Sequence, residues 1–219
     1  MAMIYPSLMR ADILNLQREI ERLDPYCPGY QLDIMDNKFV PVASGGTRYV
    51  NAIASITYKR IWVHLMVEEP REWLDKFFLP DNSIISFHFE AKSKINETIK
   101  AIKDKKWAPS LAINPETSIE VLFPHLDMLH QVLLMSVEPG FSGQEFLEST
   151  WERLRTLIGY RETSGLPFRI GVDGGINSTN IVELVRKGAD DLAISSAIFD
   201  KEDAAEALKE LSIMAVTVF

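Results

Sequence analysis

Cysteine, positive charge and long apolar runs are all scarce in this chain, and each shortage excludes a class of protein. Cys27 is the only cysteine among 219 residues, so no intrachain disulfide can form and nothing favours an oxidising compartment. Twenty-three Lys and Arg against 31 Asp and Glu give a formal net charge of −8. This balance disfavours a nucleic-acid or anionic-membrane surface, although it permits a local anion pocket.

The chain also lacks the segments that direct a protein into or across a membrane. No apolar run approaches the roughly 20 residues that span a bilayer, and the opening MAMIYPSLMRAD has no charged leader followed by an apolar core. We therefore expect a soluble, cytoplasmic protein. Since no linker or low-complexity segment interrupts the sequence, residues 1–219 are expected to form a single domain.

Short β-branched, apolar runs alternate with amphipathic stretches along the whole chain. In DILNLQREIERL, for example, Ile13, Leu16, Ile20 and Leu23 share one helical face behind Asp12 as N-cap. Eight strand–helix units favour an α/β fold, a single (β/α)8 TIM barrel, over a doubly wound sheet, which usually has fewer strands. The predicted strands are 3–7, 30–35, 60–66, 83–87, 108–113, 128–136, 168–172 and 191–194.

Polar side chains at the C-terminal ends of three predicted strands are expected to meet at the mouth of the barrel. Asp33 shares one strand face with Gln31 and Met35, since side chains alternate along a strand. His64 lies near the end of the next strand, and Asp173 precedes two glycines after a later one. Two carboxylates and an imidazole converging in this way indicate a metal or acid–base site.

Each of these residues also has a purely structural explanation. A single histidine on an apolar strand is more often a hydrogen-bonded core residue than a ligand, and an aspartate after a strand often caps a helix or forms a turn. Asp33 is harder to explain in this way, because an unpaired carboxylate within a buried strand is costly. His88 and Glu90 alternate at the end of another strand, and we expect them behind the site or in its wall.

Three late segments are rich in glycine and serine: SVEPGFSGQEF, DGGIN and ISSAIF. They follow the last three predicted strands, and the loops after the seventh and eighth strands are where barrels commonly bind phosphate through backbone N–H groups. Turn formation explains any one of these loops better than ligand binding does, but three adjacent loops favour an anion site. The residues concerned are Gly140, Gly143, Gly174, Gly175, Ser195 and Ser196.

In order and composition these motifs resemble the ribulose-phosphate 3-epimerase family, including its allulose-6-phosphate relatives. The resemblance covers nearly the whole chain, through YPSLMRAD, LDIMDNKFVP, VHLMVEEP, LAINPETSIE, LLMSVEPGFSGQEF, VDGGI and SSAIF. It implies a TIM barrel of the ribulose-phosphate-binding type. It also implies metal-dependent epimerisation at C3 of a ketose phosphate through an enediolate, with D-ribulose 5-phosphate and D-xylulose 5-phosphate of the pentose phosphate pathway as the default pair.

The resemblance further implies roles for individual residues. Asp33 and Asp173 would be the acid–base carboxylates and, with His64, would bind one divalent ion, zinc, manganese or iron; His64 would also approach the substrate. The other implied substrate contacts are Ser7, Met35, Met66, Met135, Gly140, Phe141, Ser142, Gly143, Gly174, Gly175, Ser195 and Ser196. The expected partner is a small sugar phosphate, with no nucleic acid or membrane, and the chain is expected to form a homo-oligomer.

Three positions depart from the family pattern. Gln31 stands where the family usually has a histidine, so its amide oxygen would be a weak metal ligand or a lost one. Asn37 and Lys38 replace the usual Gly-His, and Lys38 is a candidate for contacting substrate or supplying positive charge. Ser195 replaces a glycine where phosphate would approach, and we expect it to narrow that pocket.

Other functions stay open. YPSLMRADIL and NPETSIE are similar to the allulose-6-phosphate branch, and Gln31 would suit a sugar-phosphate-binding homologue with impaired catalysis. Decarboxylation or aldol chemistry is least favoured, because no predicted strand places a lysine inside the barrel. The apolar Trp73, Phe77 and Phe78 suit either a subunit interface or packing of a helix on the barrel.

Overall fold

The computed structural model describes residues 2–216, in which nine strands form one curled sheet. The strands are β1 (Met3–Pro6), β2 (Gly29–Asp36), β3 (Ala43–Ser44), β4 (Arg60–Met66), β5 (Ile84–His88), β6 (Ala108–Ile113), β7 (Gln131–Met135), β8 (Arg169–Asp173) and β9 (Asp191–Ile194). Their order is β1-β9-β8-β7-β6-β5-β4-β2-β3, and all pairs are parallel except β2 with β3. A parallel bridge between Ser7 and Gln31 joins the two sides of the sheet and closes the barrel.

Every predicted strand is present, and the (β/α)8 prediction is confirmed. The short strand β3 was not predicted. It pairs antiparallel with the end of β2, after a turn in which Asn37 has a φ of 57° and its N–H bonds to the Val42 carbonyl. Asparagine tolerates this left-handed conformation better than most side chains. The conformation of this turn therefore explains asparagine at position 37, where the family usually has glycine.

Helices surround the sheet. They are α1 (Leu16–Leu23), α2 (Thr47–Ile56), α3 (Arg71–Leu74), α4 (Ile95–Asp104), α5 (Ser149–Ser164), α6 (Ile181–Arg186), α7 (Ser196–Phe199) and α8 (Ala204–Val216). The connection after β6 is instead a 3₁₀ helix, Ile119–Met128, which contains Pro124. Within residues 2–216, no helix is both long enough and apolar enough to cross a lipid bilayer.

One predicted helix begins later than its sequence pattern indicated. Asp12 does act as a cap, accepting a hydrogen bond from Leu14 N at 3.0 Å, but it caps a 3₁₀ turn, and α1 starts only at Leu16. Ile13 is 74% exposed, so its predicted place on the buried face was wrong. The short Asp12 side chain favours a tight local turn here over a first helical turn.

The core has two layers because successive side chains of each strand point to opposite sides. One set packs outward against the helices, for example Leu32, Ile34 and Leu65, all fully buried. The other set fills the barrel, where the Tyr5 and Trp62 rings meet edge to face at 5.2 Å. The polar groups at the barrel mouth lie directly above this packed interior.

The N-terminal end of the barrel is closed by a buried ionic group. Asp191 is fully buried and accepts hydrogen bonds from Arg169 Nε and Nη2 at 2.7 and 2.6 Å, and from Gln131 at 2.9 Å. Ser110 in turn donates to Gln131 at 2.8 Å. The carboxylate is thus fully paired, as a buried charge requires.

The three apolar residues that were considered for a subunit interface differ in how deeply they are buried. Phe77 is buried with its ring 6.5 Å from that of Trp107, and Trp73 packs against the core. Phe78 is 79% exposed. Packing of helix α3 on the barrel therefore accounts for two of the three.

Candidate active site

A cleft of about 510 Å³, counted to its open mouth, lies at the C-terminal ends of the strands. Both predicted acid–base residues, Asp33 and Asp173, line it. So do the predicted contacts Ser7, Met35, Met66, Met135, Gly140, Phe141, Ser142, Gly143, Gly174, Gly175, Ser195 and Ser196. The structure therefore brings residues from six separate segments of the sequence, at the ends of β1, β2, β4, β7, β8 and β9, into one cavity.

His64 and Gln31 are placed differently from the other candidates. Both are fully buried and neither lines the cleft. Residues Asp33 and His64 are register partners on the adjacent strands β2 and β4, so the imidazole lies beside the carboxylate but out of reach of a molecule in the open cleft. The contact between His64 and substrate that the family resemblance implies stays a prediction.

The centre of the site is the His64 imidazole between two carboxylates. Its Nδ1 lies 3.1 Å from Asp33 Oδ1 and 3.2 Å from Asp173 Oδ2. One ligand atom from each of the three side chains lies within 4.8 Å of the others. Two carboxylates and an imidazole at this spacing form a donor set that a divalent metal ion can use.

The two carboxylates control the charge of His64. Complete burial lowers the pKa of His64, but hydrogen bonds to Asp173 and Asp33, together with their negative charges, outweigh burial and raise it to about 9. Protonated His64 is therefore the form that the two carboxylates favour at neutral pH. A metal ion binding to Nδ1 must displace that proton.

Gln31 contacts the site through its amide nitrogen. Its Nε2 donates to Asp173 Oδ2 at 2.6 Å, while its Oε1 has no hydrogen-bond partner among the described residues. To serve as a metal ligand, the amide would have to turn its oxygen toward the carboxylates and give up the bond to Asp173. In this orientation, the Gln31 amide fixes the position of the Asp173 carboxylate.

Asp33 is held from the other side by two serines. Ser7 donates from Oγ to Asp33 Oδ2 at 2.8 Å, and Ser195 donates from Oγ to the Ser7 carbonyl at 2.9 Å. The Ser195 hydroxyl thus links the ends of β9 and β1. This bond, which orients the hydroxyl toward the backbone, is a structural reason for serine at a position where the family usually has glycine.

The glycines after β8 are required by packing between loops. A Cβ at Gly174 would lie 2.3 Å from Val137 Cγ2, and one at Gly175 would lie 2.5 Å from the Phe146 backbone nitrogen. Both glycines also have positive φ, a conformation that other residues adopt at a cost. Glycine at these positions lets the loops after β7 and β8 pack together, a reason that the sequence pattern did not reveal.

Two polar side chains that hold these loops were not predicted. The single O–H of Ser136 is shared between the carbonyls of Asp173 and Gly174, which lie 2.8 and 2.6 Å from its Oγ. Gln144 Nε2 donates to the carbonyls of Glu138 and Phe141 at 2.6 and 2.9 Å. Gln144 lies within the quoted motif PGFSGQ, but its partners are backbone atoms, which no residue pattern specifies.

The candidate role of Lys38 at the mouth is not supported. Lys38 is exposed and lines a separate cleft with Glu68 and Glu69. Its direction follows from the turn after β2, where Asp36 Oδ1 accepts bonds from the Lys38 and Phe39 N–H groups at 2.9 Å each. Its positive charge therefore lies outside the active cleft, on the side of the surface acids Glu68 and Glu69.

His88 and Glu90 lie behind His64, as predicted. His88 Nε2 lies 2.9 Å from His64 Nε2, and the two ring planes are within 19° of parallel with centroids 5.1 Å apart. Glu90 Oε2 is 3.4 Å from His88 Nδ1. Burial lowers the pKa of His88, so the neutral ring is favoured at this position.

Comparison with known proteins identifies the family. A model of the ribulose-phosphate 3 epimerase family matches residues 3–199. The chain belongs to this family. It is 35% identical to a ribulose-phosphate 3-epimerase of Aquifex aeolicus, covering all of both chains, and 34% identical to one of Escherichia coli K12, covering 95% of this chain and 94% of that protein. A chloroplastic ribulose-5-phosphate-3-epimerase of Arabidopsis thaliana is 33% identical, covering 94% and 74%.

Solved structures with the same fold are more distant in sequence. A thiamine phosphate pyrophosphorylase from Pyrococcus furiosus matches with a TM-score of 0.67 at 17% identity, covering 99% of this chain and 96% of that one. A mutant tryptophan synthase α-subunit from the same organism matches with a TM-score of 0.65 at 17% identity, covering 99% and 97%. At this level of identity the likeness concerns the fold alone.

The raised pKa of His64 predicts how stability changes with pH in chelator-treated protein. Protonated His64 stabilises the folded state fully below its unfolded pKa of 6.5, and this contribution is lost as the pH rises through the folded value of about 9. The melting temperature of wild type, measured relative to that of the variant His64→Gln, should therefore fall as the pH rises through this window. Parallel pH profiles for the two proteins would contradict the placement of His64 between two charged carboxylates.

Proposed function

We propose that this protein is a metal-dependent epimerase that inverts C3 of a ketose phosphate, with D-ribulose 5-phosphate and D-xylulose 5-phosphate as substrate and product. The observation that supports this most strongly is the pair Asp33 and Asp173. The two carboxylates line one cleft from different strands and are joined beneath it by His64 Nδ1. The relatives named as ribulose-phosphate 3-epimerases supply the substrate class.

The residues present fit a divalent metal ion. Asp33, His64 and Asp173 offer three ligand atoms within 4.8 Å of one another, a mixed oxygen and nitrogen set suited to zinc, manganese or iron. We assign these three residues as the ligands and place Gln31 outside the set, because its nitrogen faces Asp173 and its oxygen is unpaired. When bound, such an ion would polarise the substrate carbonyl and stabilise the negative charge that develops on it.

The two aspartates carry the proton transfers in this proposal. A proton beside a carbonyl is only weakly acidic, so a carboxylate must be positioned to accept it and a second acid must return a proton to the opposite face. Ser7 fixes Asp33 and Gln31 fixes Asp173, each through a short hydrogen bond. Holding both groups in defined positions keeps each carboxylate on its own side of the substrate.

An apolar wall lies next to these acids. Met35 and Met66 are 3% exposed and cluster with the buried Val40, and Met135 also lines the cleft. Their side chains exclude water from the neighbourhood of the carboxylates. In the proposed reaction this protects the enediolate from unwanted protonation.

Neutral groups are proposed to bind the phosphate. The cleft-lining residues of the described chain include no lysine or arginine, but they include Ser142, Ser195 and Ser196 and four glycines of the loops after β7 and β8. Backbone N–H groups and hydroxyls can bind a phosphate without a positive side chain. Such a site is compatible with a net charge of −8.

A direct assay tests this function. Purified protein supplied with zinc, manganese or iron(II) should interconvert D-ribulose 5-phosphate and D-xylulose 5-phosphate, and prior removal of metal with a chelator should abolish the reaction. Parallel reactions with allulose 6-phosphate measure the alternative substrate class. Absence of turnover with both the pentose and the hexose phosphate, in protein shown to contain metal, would sink the proposal.

Gln31 is the specific observation behind the second candidate, a sugar-phosphate-binding homologue with impaired catalysis. If Gln31 is outside the ligand set, Gln31→His should add a ligand and tighten metal binding by about tenfold or more. The control Gln31→Leu removes the hydrogen bond to Asp173 but no ligand, so it should still bind metal, about tenfold more weakly than wild type, a difference of about 1.4 kcal/mol. Competition with a chromophoric chelator measures both variants.

Two results of that titration would change the assignment. Loss of metal binding in Gln31→Leu would show that the wild-type amide oxygen is a ligand. Metal binding by Gln31→His alone, with none by wild type, would favour the impaired homologue.

A further inference from the structure

A buried row of side chains continues from His64 away from the cleft. His64 Nε2 lies 2.9 Å from His88 Nε2, and His88 Nδ1 lies 3.4 Å from Glu90 Oε2. Both histidines are fully buried. The row therefore connects the Nδ1 atom that faces Asp33 and Asp173 with a carboxylate at the barrel rim.

The contact between the two histidines fixes a relation between their protons. Two ring nitrogens at 2.9 Å form a hydrogen bond only if one carries a proton and the other offers a lone pair. Either His64 donates to His88, or His88 donates to His64. For a neutral His64, only the first arrangement leaves the Nδ1 lone pair free to bind a metal ion.

Glu90 determines which arrangement is favoured. Its Oε2 faces His88 Nδ1, and a carboxylate oxygen can only accept. The Asn114 side chain also lies beside His88, but neither Asn114 Oδ1 nor His88 Nδ1 has a hydrogen bond of regular geometry among the described residues. A proton on His88 Nδ1 is thus favoured, which leaves His88 Nε2 as the acceptor for His64.

The Glu90 carboxylate is itself held in one orientation. Its other oxygen, Oε1, accepts from the Asn114 N–H at 2.9 Å and from the Thr117 hydroxyl. Both donors bind the same oxygen, so Oε2 is the atom left for His88. The side chain of Glu90 is 23% exposed, which places it at the edge of the core.

We propose that Glu90 and His88 are positioning residues that select the His64 tautomer whose Nδ1 binds the metal ion. Glu90 directs a proton to His88 Nδ1, His88 Nε2 accepts from His64 Nε2, and His64 Nδ1 presents its lone pair between Asp33 and Asp173. The inference rests on the proposed metal site. It adds that residues outside the cleft set the affinity of that site.

The substitution Glu90→Gln tests the direction of these hydrogen bonds. In this variant Oε1 still accepts from Asn114 and Thr117, so the new amide group replaces Oε2 and donates toward His88 Nδ1. His88 then carries its proton on Nε2 and donates to His64, which moves the His64 proton to Nδ1. The zinc dissociation constant should rise about 10- to 100-fold.

Truncation provides the comparison that separates proton direction from packing. Glu90→Ala removes the carboxylate without adding a donor, and Asn114 remains beside His88, so its loss of zinc affinity should be smaller than that of Glu90→Gln. A merely structural role predicts the reverse order, since glutamine keeps the shape of glutamate. Glu68→Gln, at a carboxylate paired with Lys92 at 2.6 Å, is the matched control and should leave zinc affinity unchanged.

Two measurements decide the outcome. Chelator competition gives the zinc dissociation constants. Two-bond proton–nitrogen correlation spectra of metal-free protein, recorded above the raised pKa of His64 so that this ring is neutral, report which nitrogen of His88 carries the proton. The expected result is Nδ1–H in wild type and Nε2–H in Glu90→Gln. Equal zinc affinity in wild type and Glu90→Gln, or an unchanged His88 tautomer, would overturn the inference. Failure of wild type to bind zinc would instead contradict the proposed metal site.

Discussion

The contact between one buried imidazole and two carboxylates is the interaction around which the mouth of this barrel is organised. Burying charged groups is costly unless each has a partner. His64 Nδ1 faces both Asp33 and Asp173, while Ser7 and Gln31 each donate to one of these acids. These contacts allow the two carboxylates to lie side by side in a barrel whose remaining interior is mostly apolar.

The barrel explains why so few residues are needed to build this group. Strands β2 and β4 run parallel and in register, so Asp33 and His64 are neighbours, and the curvature of the sheet brings Asp173 from β8 to the same place. Beneath them, Trp62 and Tyr5 fill the interior. Packing below and hydrogen bonds at the sides hold the acids in fixed positions, which acid–base chemistry requires.

Much of this arrangement could be predicted from the sequence. Alternation along 30–35 and 60–66 placed Asp33 and His64 on inward faces, and the glycine-rich segments after the last three strands were expected at the same mouth. These features depend on local periodicity and on the geometry of a closed barrel. A pattern of residue types carries that information directly.

The rest depends on neighbours that are distant in the chain. Gly174 and Gly175 are required by Val137 and Phe146, and the direction of the Gln31 amide is set by Asp173 across the barrel. Lys38 points away because Asp36 holds the turn that carries it. A local sequence pattern does not specify which atoms meet across the barrel. These contacts can therefore be read only from the folded structure.

The central claim is that two separately held aspartates move the proton, and hydrogen exchange at C3 tests it most directly. In deuterated water, metal-loaded wild type should place deuterium at C3 of both epimers. The variants Asp33→Asn and Asp173→Asn should each place deuterium in one epimer only, and the labelled epimer should differ between the two variants. Metal content is measured in the same samples. Labelling of both epimers by both variants at the wild-type rate, or epimerisation by wild type without any exchange, would contradict the account.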